Sequence, residues 1–311
     1  MDSPAGLQHR RSRASRRQLE SSRLRLAVRP CAAIALLCAA IPALAARNLT
    51  DELGRTVPVP DHPHRLICLA PSVVDDVYAL GAGADVIAVS DYTEYPSQAR
   101  SKPTVGLPLN PSMETIVSLH PDLVLGSGDS RSSETLTSLG RLGIPVFMVS
   151  PHGIDGIYKS LLSLGQALGR ETSANTVVAA LRKREAAIRL RVQATPPVNL
   201  LMPIWYDPIM TIGKYAYITD LIAIAGGRSV TADIPQEWPQ VSLEAVIARA
   251  PEALLLVKGS GMSLESIQNR PGWQSLPALR NHRVYYVGPQ IELPSPVAFD
   301  ALEELAKQLH P

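Results

Sequence analysis

Glu114 and Glu244 are acids whose surroundings repeat. They lie in Ser112-Met-Glu-Thr-Ile-Val-Ser-Leu-His-Pro-Asp-Leu-Val-Leu125 and Ser242-Leu-Glu-Ala-Val-Ile-Ala-Arg-Ala-Pro-Glu-Ala-Leu-Leu255, offset by 130 residues throughout. Each copy has a serine able to cap a helix, a glutamate two positions later, then apolar residues at helical spacing. A proline then stops the helix and opens a buried strand. An acid in a first helical turn stabilises its helix by roughly 0.3–1 kcal/mol, which is one sufficient use for each glutamate. Recognition is the other: one exposed carboxylate per copy makes a pair of docking points for a two-fold basic partner.

Aromatic rings form the second candidate set. Tyr92 lies in Asp91-Tyr-Thr-Glu-Tyr-Pro96, Trp205 and Tyr206 in Ile204-Trp-Tyr-Asp-Pro-Ile-Met210, and Trp238 in Pro235-Gln-Glu-Trp-Pro-Gln240. Flat apolar rings in loops suit a large, partly apolar ligand, and ordinary packing is the competing use. Trp273 reads as packing. Signatures of catalysis are missing: there is no phosphate-binding Gly-x-x-x-x-Gly-Lys run, no Gly-x-Ser-x-Gly and no His-Glu-x-x-His. Gly81-Ala-Gly83 follows a helical pattern and not a strand, so it is no dinucleotide fingerprint. His62 and His64 are the only histidines close together in sequence. A metal site would otherwise need ligands converging from separate loops.

These residues require a scaffold of alternating elements. Residues 65–69, 86–89, 122–126 and 146–149 read as strands, and 72–81, 112–120 and 131–142 as helices between them. After Ala194-Thr-Pro-Pro197 the plan resumes, with strands at 198–202, 253–257 and 284–287 and helices near 217–225, 242–250 and 297–309. Alternation of this kind predicts parallel sheets covered by helices, and the echo predicts two similar α/β lobes. Two helical patterns occupy 154–194 between the lobes. The second, Ser173 to Ala194, spans roughly 33 Å at 1.5 Å per residue, enough either to strut between lobes or to pack along one of them. Ligands of such folds bind beyond the strand C-termini, so the expected lining includes Pro71, Ser72 and Ser127 together with the aromatic loops.

The chain has 311 residues and a formal net charge of +2. Eight arginines and two acids fall in residues 1–46, leaving an excess of four acids in the remainder. That balance gives no footing for a nucleic-acid partner. The same segment reads as a cleaved secretory signal: arginines up to Arg29, the apolar run 31–41, Pro42 and then Ala43-Leu-Ala-Ala46. The run is too short to span a bilayer. Leu37 stands where a small residue should precede a lipidated Cys38, which weighs against a lipid anchor. Cleavage would remove Cys31 and Cys38 and leave Cys68, for which burial in a strand is expected. The expected organisation is a signal peptide at 1–46, an N-terminal lobe at 47–153, a helical connector at 154–196 and a C-terminal lobe at 197–311.

Arg65-Leu-Ile-Cys-Leu-Ala-Pro-Ser72, Tyr92-Thr-Glu-Tyr-Pro96, Ser112-Met-Glu-Thr-Ile116, His120-Pro-Asp-Leu-Val124 and Trp238-Pro-Gln-Val-Ser242 resemble the periplasmic substrate-binding proteins of ABC importers. The resemblance runs from about residue 50 to 310 and is to the cobalamin, haem and iron-siderophore group, the cobalamin binders most of all. It implies two Rossmann-like lobes joined by one long interdomain helix, a small hinge motion, a periplasmic location and no enzymatic activity. Glu114 and Glu244 then match the glutamates that meet arginines on a permease dimer, which works with its ATPase in the inner membrane.

Tyr92 and Trp238 match aromatic residues of the cobalamin site. Met210 stands where that group has phenylalanine, and Pro108 and Ser127 where the cobalamin binders have tryptophans. Acidic and basic contacts of the last cleft loop have no clear counterpart in Gly288-Pro-Gln-Ile-Glu-Leu293. Leu107 occupies the place of a haem-binding tyrosine, which disfavours haem. The quoted loops hold no arginine to meet an anionic ferric chelate. The resemblance therefore implies no intrinsic cofactor and a transported ligand that is cobalamin or another metal chelate. An iron-siderophore receptor is the alternative, and a secreted metal-dependent enzyme the reading of a different class.

Overall fold

The computed structural model describes residues 46–128 and 133–311. Residues 1–45 of the expected signal segment and the first two residues of the expected 131–142 helix lie outside them. The described chain opens on an antiparallel hairpin, β1 (Ala46–Thr50) and β2 (Thr56–Pro60). Pattern reading passed over it because Pro58 and Pro60 argue against a strand; a two-stranded ribbon with free edges tolerates them. Val57 and Val59 face inward, and Asp51 closes the turn by accepting from the Leu53 and Arg55 N–H groups at 3.1 and 2.9 Å.

The N-terminal lobe contains β3 (Leu66–Cys68), β4 (Val86–Val89), the short pair β5 (Gly106–Leu107) and β6 (Asn110–Pro111), β7 (Leu123–Ser127) and β8 (Val146–Val149). Its helices are α1 (Pro71–Ala79), α2 (Met113–Ser118) and α3 (Ser133–Arg141). The main sheet is parallel with order β4-β3-β7-β8. Two connector helices follow, α4 (Gly153–Leu168) and α5 (Glu171–Val192). The C-terminal lobe has β9 (Val198–Leu201), β10 (Pro203–Tyr206), β11 (Ile209–Thr211), β12 (Gly227–Ser229), β13 (Gln240–Val241), β14 (Ala253–Val257) and β15 (Val284–Val287). Its helices are α6 (Tyr217–Ile224), α7 (Leu243–Arg249), α8 (Leu264–Gln268), α9 (Pro277–Arg280) and α10 (Ala298–Leu309). Its main sheet is also parallel, with order β12-β9-β14-β15. Both orders place the second strand outside the first, then the third and fourth, so the two lobes share one topology.

Strand alternation sorts the core. Cys68, Leu125, Phe147, Leu200 and Leu255 belong to a core that runs without interruption through α1, α4, α5, α6 and α10. The alternate residues Ile67, Val124 and Met148 pack on the outer face of the first sheet with Ile116. Leu201, Leu254 and Leu256 do the same on the second, with Val246 and the buried Trp273. A period of two on strands with both faces covered produces this partition. Cys68 is fully buried, and burial raises its thiol.

α5 is tied to elements of both lobes. Near its start Arg47 of the hairpin reaches Glu171 at 3.8 Å. Farther along, Arg184 pairs with Asp300 and Glu303 of α10, both at 2.7 Å. Ala174, Val178, Leu181, Ile188 and Val192 line its buried stripe. Among the described residues no helix is long and apolar enough to cross a membrane.

One core residue carries a cost. Asp76 is 2% exposed, and its Oδ1 lacks a hydrogen-bond partner. Burial, then the charges of Asp75 and Glu52, push its carboxyl well above the ordinary value. A carboxyl raised by folding favours the folded state at low pH and loses that contribution as pH rises through the folded value. Asp76→Asn is therefore expected to melt higher than the parent at pH 7–8, by about 1 kcal/mol or more. The advantage vanishes near pH 4, the ordinary carboxylate range; thermal melts across that interval measure it.

Candidate functional site

The echo segments fold as their composition requires. Ser112 Oγ accepts from the Thr115 N–H, and Ser242 Oγ from the Ala245 N–H, each at 3.2 Å. Ile116 and Val246 are fully buried, whereas Glu114 and Glu244 are exposed. Each short helix ends at a residue in the left-handed region before its proline, His120 at φ 47° and Ala250 at φ 45°. The Glu244 carboxyl is held below its ordinary value by its own backbone N–H and the Ser242 hydroxyl. Two exposed acids thus stand at equivalent, solvent-facing places of the two lobes.

The eight expected ligand contacts divide by lobe and by exposure. Tyr92 follows β4 and is 75% exposed despite a left-handed backbone at φ 64°. A bulky residue keeps that conformation only where its surroundings enforce it. Here the Thr93 hydroxyl donates to the Ser90 carbonyl at 2.7 Å, and the Asp91 N–H to the Gly106 carbonyl at 2.9 Å. Pro71 begins α1 half-buried. Ser72 and Ser127 are only 6% and 2% exposed. Their hydroxyls are enclosed near the ends of β3 and β7, whereas the aromatic candidates are more open.

Trp205, Tyr206, Met210 and Trp238 are brought together on one small antiparallel sheet, β10-β11-β13. The segment 204–210 was expected as a loop; its strands are too short, and too interrupted by Pro203 and Pro208, for alternation to register. Trp205 sits opposite Met210, Met210 pairs with Gln240, and Trp238 precedes β13. The Trp205 and Tyr206 rings stack at 5.1 Å and 10°, and the Trp205 indole N–H donates to the Asp207 carbonyl at 3.0 Å. Arg270 lies 3.5 Å from the Tyr206 ring centre and pairs with Asp207 at 3.9 Å. Trp205 and Trp238 remain 49% and 40% exposed, and the stack and the indole hydrogen bond hold the Trp205 ring in place.

A cavity of about 440 Å³ lies between the lobes. His152 and Gly153 line it from the N-terminal lobe, and Lys214, Tyr215, Asp220 and Glu237 from the C-terminal lobe. A second, of about 420 Å³, surrounds Tyr92 and includes Arg100 and Lys102. Sequence reading missed His152, Lys214, Tyr215 and Arg270. Glu237 lay within a quoted loop, and Lys214 lies four residues beyond another. Arg270, 64 residues from Tyr206, carried no signal at all. Among the described residues no group of three or more His, Cys, Asp and Glu is arranged to hold a metal ion.

Comparison with known proteins agrees with this architecture. The model of the periplasmic binding protein family matches residues 66–291. The substrate-binding lipoprotein YvrC of an ABC transporter of Bacillus subtilis is 28% identical over 272 residues, covering 85% of each chain. The vitamin B12-binding protein of Photorhabdus laumondii is 30% identical over 251 residues, 80% of this chain and 88% of that one. The solved periplasmic heme-binding protein RhuT from Roseiflexus sp. RS-1 superposes with a TM-score of 0.73 at 26% identity, covering 79% of this chain and 98% of that one. The family model spans most of both lobes, and the protein is a member of the periplasmic binding protein family.

Proposed function

We propose that this protein is a periplasmic receptor that captures cobalamin or a related corrinoid between its lobes and delivers it to an ABC permease dimer. The aromatic set carries the reading: Tyr92 from one lobe and Trp205 and Trp238 from the other are exposed, with the Tyr92 loop and the Trp205 ring held by local hydrogen bonds. Such rings suit a broad, partly apolar macrocycle, and 30% identity to a vitamin B12-binding protein supports that choice. The corrinoid is cargo and not a resident cofactor. Glu114 and Glu244 are the residues that meet the permease, and the leader directs export.

Calorimetric titration of the mature protein with cyanocobalamin tests this; absence of heat and of any spectral change at tens of micromolar sinks the corrinoid. A ferric chelate with anionic groups is the second reading, favoured by Arg270 on Tyr206 and Lys214 in the interlobe cavity. Quenching of Trp205 and Trp238 by a panel of ferric chelates separates the two.

Tyr92 offers an internal check. Its left-handed backbone costs about 1 kcal/mol that glycine does not incur. Tyr92→Gly is expected to melt no lower than the parent while binding the ligand more weakly. A lower melting temperature with unchanged affinity would instead make Tyr92 a packing residue.

A further inference from the structure

Two helices that begin at the junction of the lobes lack caps of their own. α4 starts after His152 and α10 after Val297, and neither residue's side chain caps the helix. In both cases an acid from the opposite lobe takes the place. Asp75 of α1, in the N-terminal lobe, accepts from the Val297 N–H at 3.0 Å. Asp220 of α6, in the C-terminal lobe, accepts from the Ile154 N–H at 3.2 Å. Residue separations of 222 and 66 make both contacts purely tertiary.

The arrangement is reciprocal. α4 follows the last strand of its lobe and α10 the last strand of the other, while α1 and α6 are the helices that reach across. Gly153 completes the second contact: its φ is 65°, and a Cβ there would stand 2.5 Å from Asp220 Oδ2, so only glycine lets the carboxylate approach. Asp75 is enclosed enough that burial raises its carboxyl despite the Val297 N–H.

We infer that Asp75 and Asp220 are paired positioning residues that set the angle between the lobes, and with it the width of the ligand cleft. Each ties one lobe to the positive end of a helix that leads out of the other, the direction in which a carboxylate is held best. A single tie leaves the lobes free to rock about it. Two reciprocal ties hold both sides of the junction. The continuous core through α1, α4, α5, α6 and α10 resists large opening; the two carboxylates determine where within the remaining range the lobes rest.

The test uses spin labels on cysteines introduced at the exposed positions Arg141 and Gln268, one per lobe, with Cys68 buried and unreactive. In the ligand-free protein, Asp75→Ala with Asp220→Ala is expected to broaden and shift the interlabel distance. Asp75→Asn with Asp220→Asn, which keeps a carbonyl acceptor at each place, is expected to restore the parent distribution. An unchanged distribution in the folded double-alanine variant overturns the inference, and so does failure of the asparagine pair to rescue it. The affinity arm rests on the corrinoid reading: cyanocobalamin should dissociate roughly tenfold faster from the alanine pair. If cyanocobalamin binds none of the proteins, that reading fails while the distance measurement still decides the role of the two acids.

Discussion

Uptake of the ligand is expected to cease in Glu114→Arg/Glu244→Arg, while affinity for the ligand stays within about twofold of the parent. Both side chains are exposed, and the serines that cap their helices are untouched by the substitutions. The loss to folding is then limited to the first-turn interaction of each acid, roughly 0.3–1 kcal/mol. At an interface with a basic partner the effect is larger. Losing one partner of a desolvated charge pair costs roughly 2–5 kcal/mol, and reversal adds repulsion. Two reversals on a two-fold partner leave no anchored side, whereas either single reversal leaves one lobe docked and should retain partial uptake. Vesicles containing the cognate permease and its ATPase, supplied with each variant, measure this. Loss of ligand binding in the double variant would show the acids to be structural.

Trp238→Ala is expected to weaken ligand binding at least tenfold without lowering the melting temperature by more than a few degrees. A ring contact contributes about 1 kcal/mol beyond its buried area, and the area itself contributes more. With 40% of its surface exposed, Trp238 contributes less to the core than Trp273, which is 3% exposed. Trp273→Ala serves as the contrast: a core truncation of that size costs roughly 3–5 kcal/mol and lowers the melting temperature sharply. Calorimetric affinity and thermal melts on the two variants separate the roles. Unchanged affinity in Trp238→Ala would return that residue to packing.

The order of elements and the duplication were legible because they depend on neighbours in the chain. Period-two strands, helical spacing and the Ser-x-Glu…Pro pattern act within a few residues, and all seven expected strands and all eight helices are present to within two or three residues at each end. The echo extends further than expected, to a left-handed residue before each proline, His120 and Ala250. Strand alternation also foretold that both faces of each sheet would be covered.

The site was legible only in part. The exposure of the aromatics Tyr92, Trp205 and Trp238 was legible because large rings between polar, proline-rich segments have no local use. The enclosure of Ser72 and Ser127 was not legible, because a strand end shows which residues are near a cleft but not which side chains are buried.

The sequence by itself determined the two-lobe plan, the repeated glutamates and the aromatic loops, all products of short-range patterning. Only the tertiary structure decided that Arg270 would stack on Tyr206, that His152 and Lys214 would share a cavity, and that Asp75 and Asp220 would each cap a helix of the other lobe. These contacts join residues tens to hundreds of positions apart. Their energy comes from burial and charge after packing, and no local spacing encodes which distant group packing will bring near.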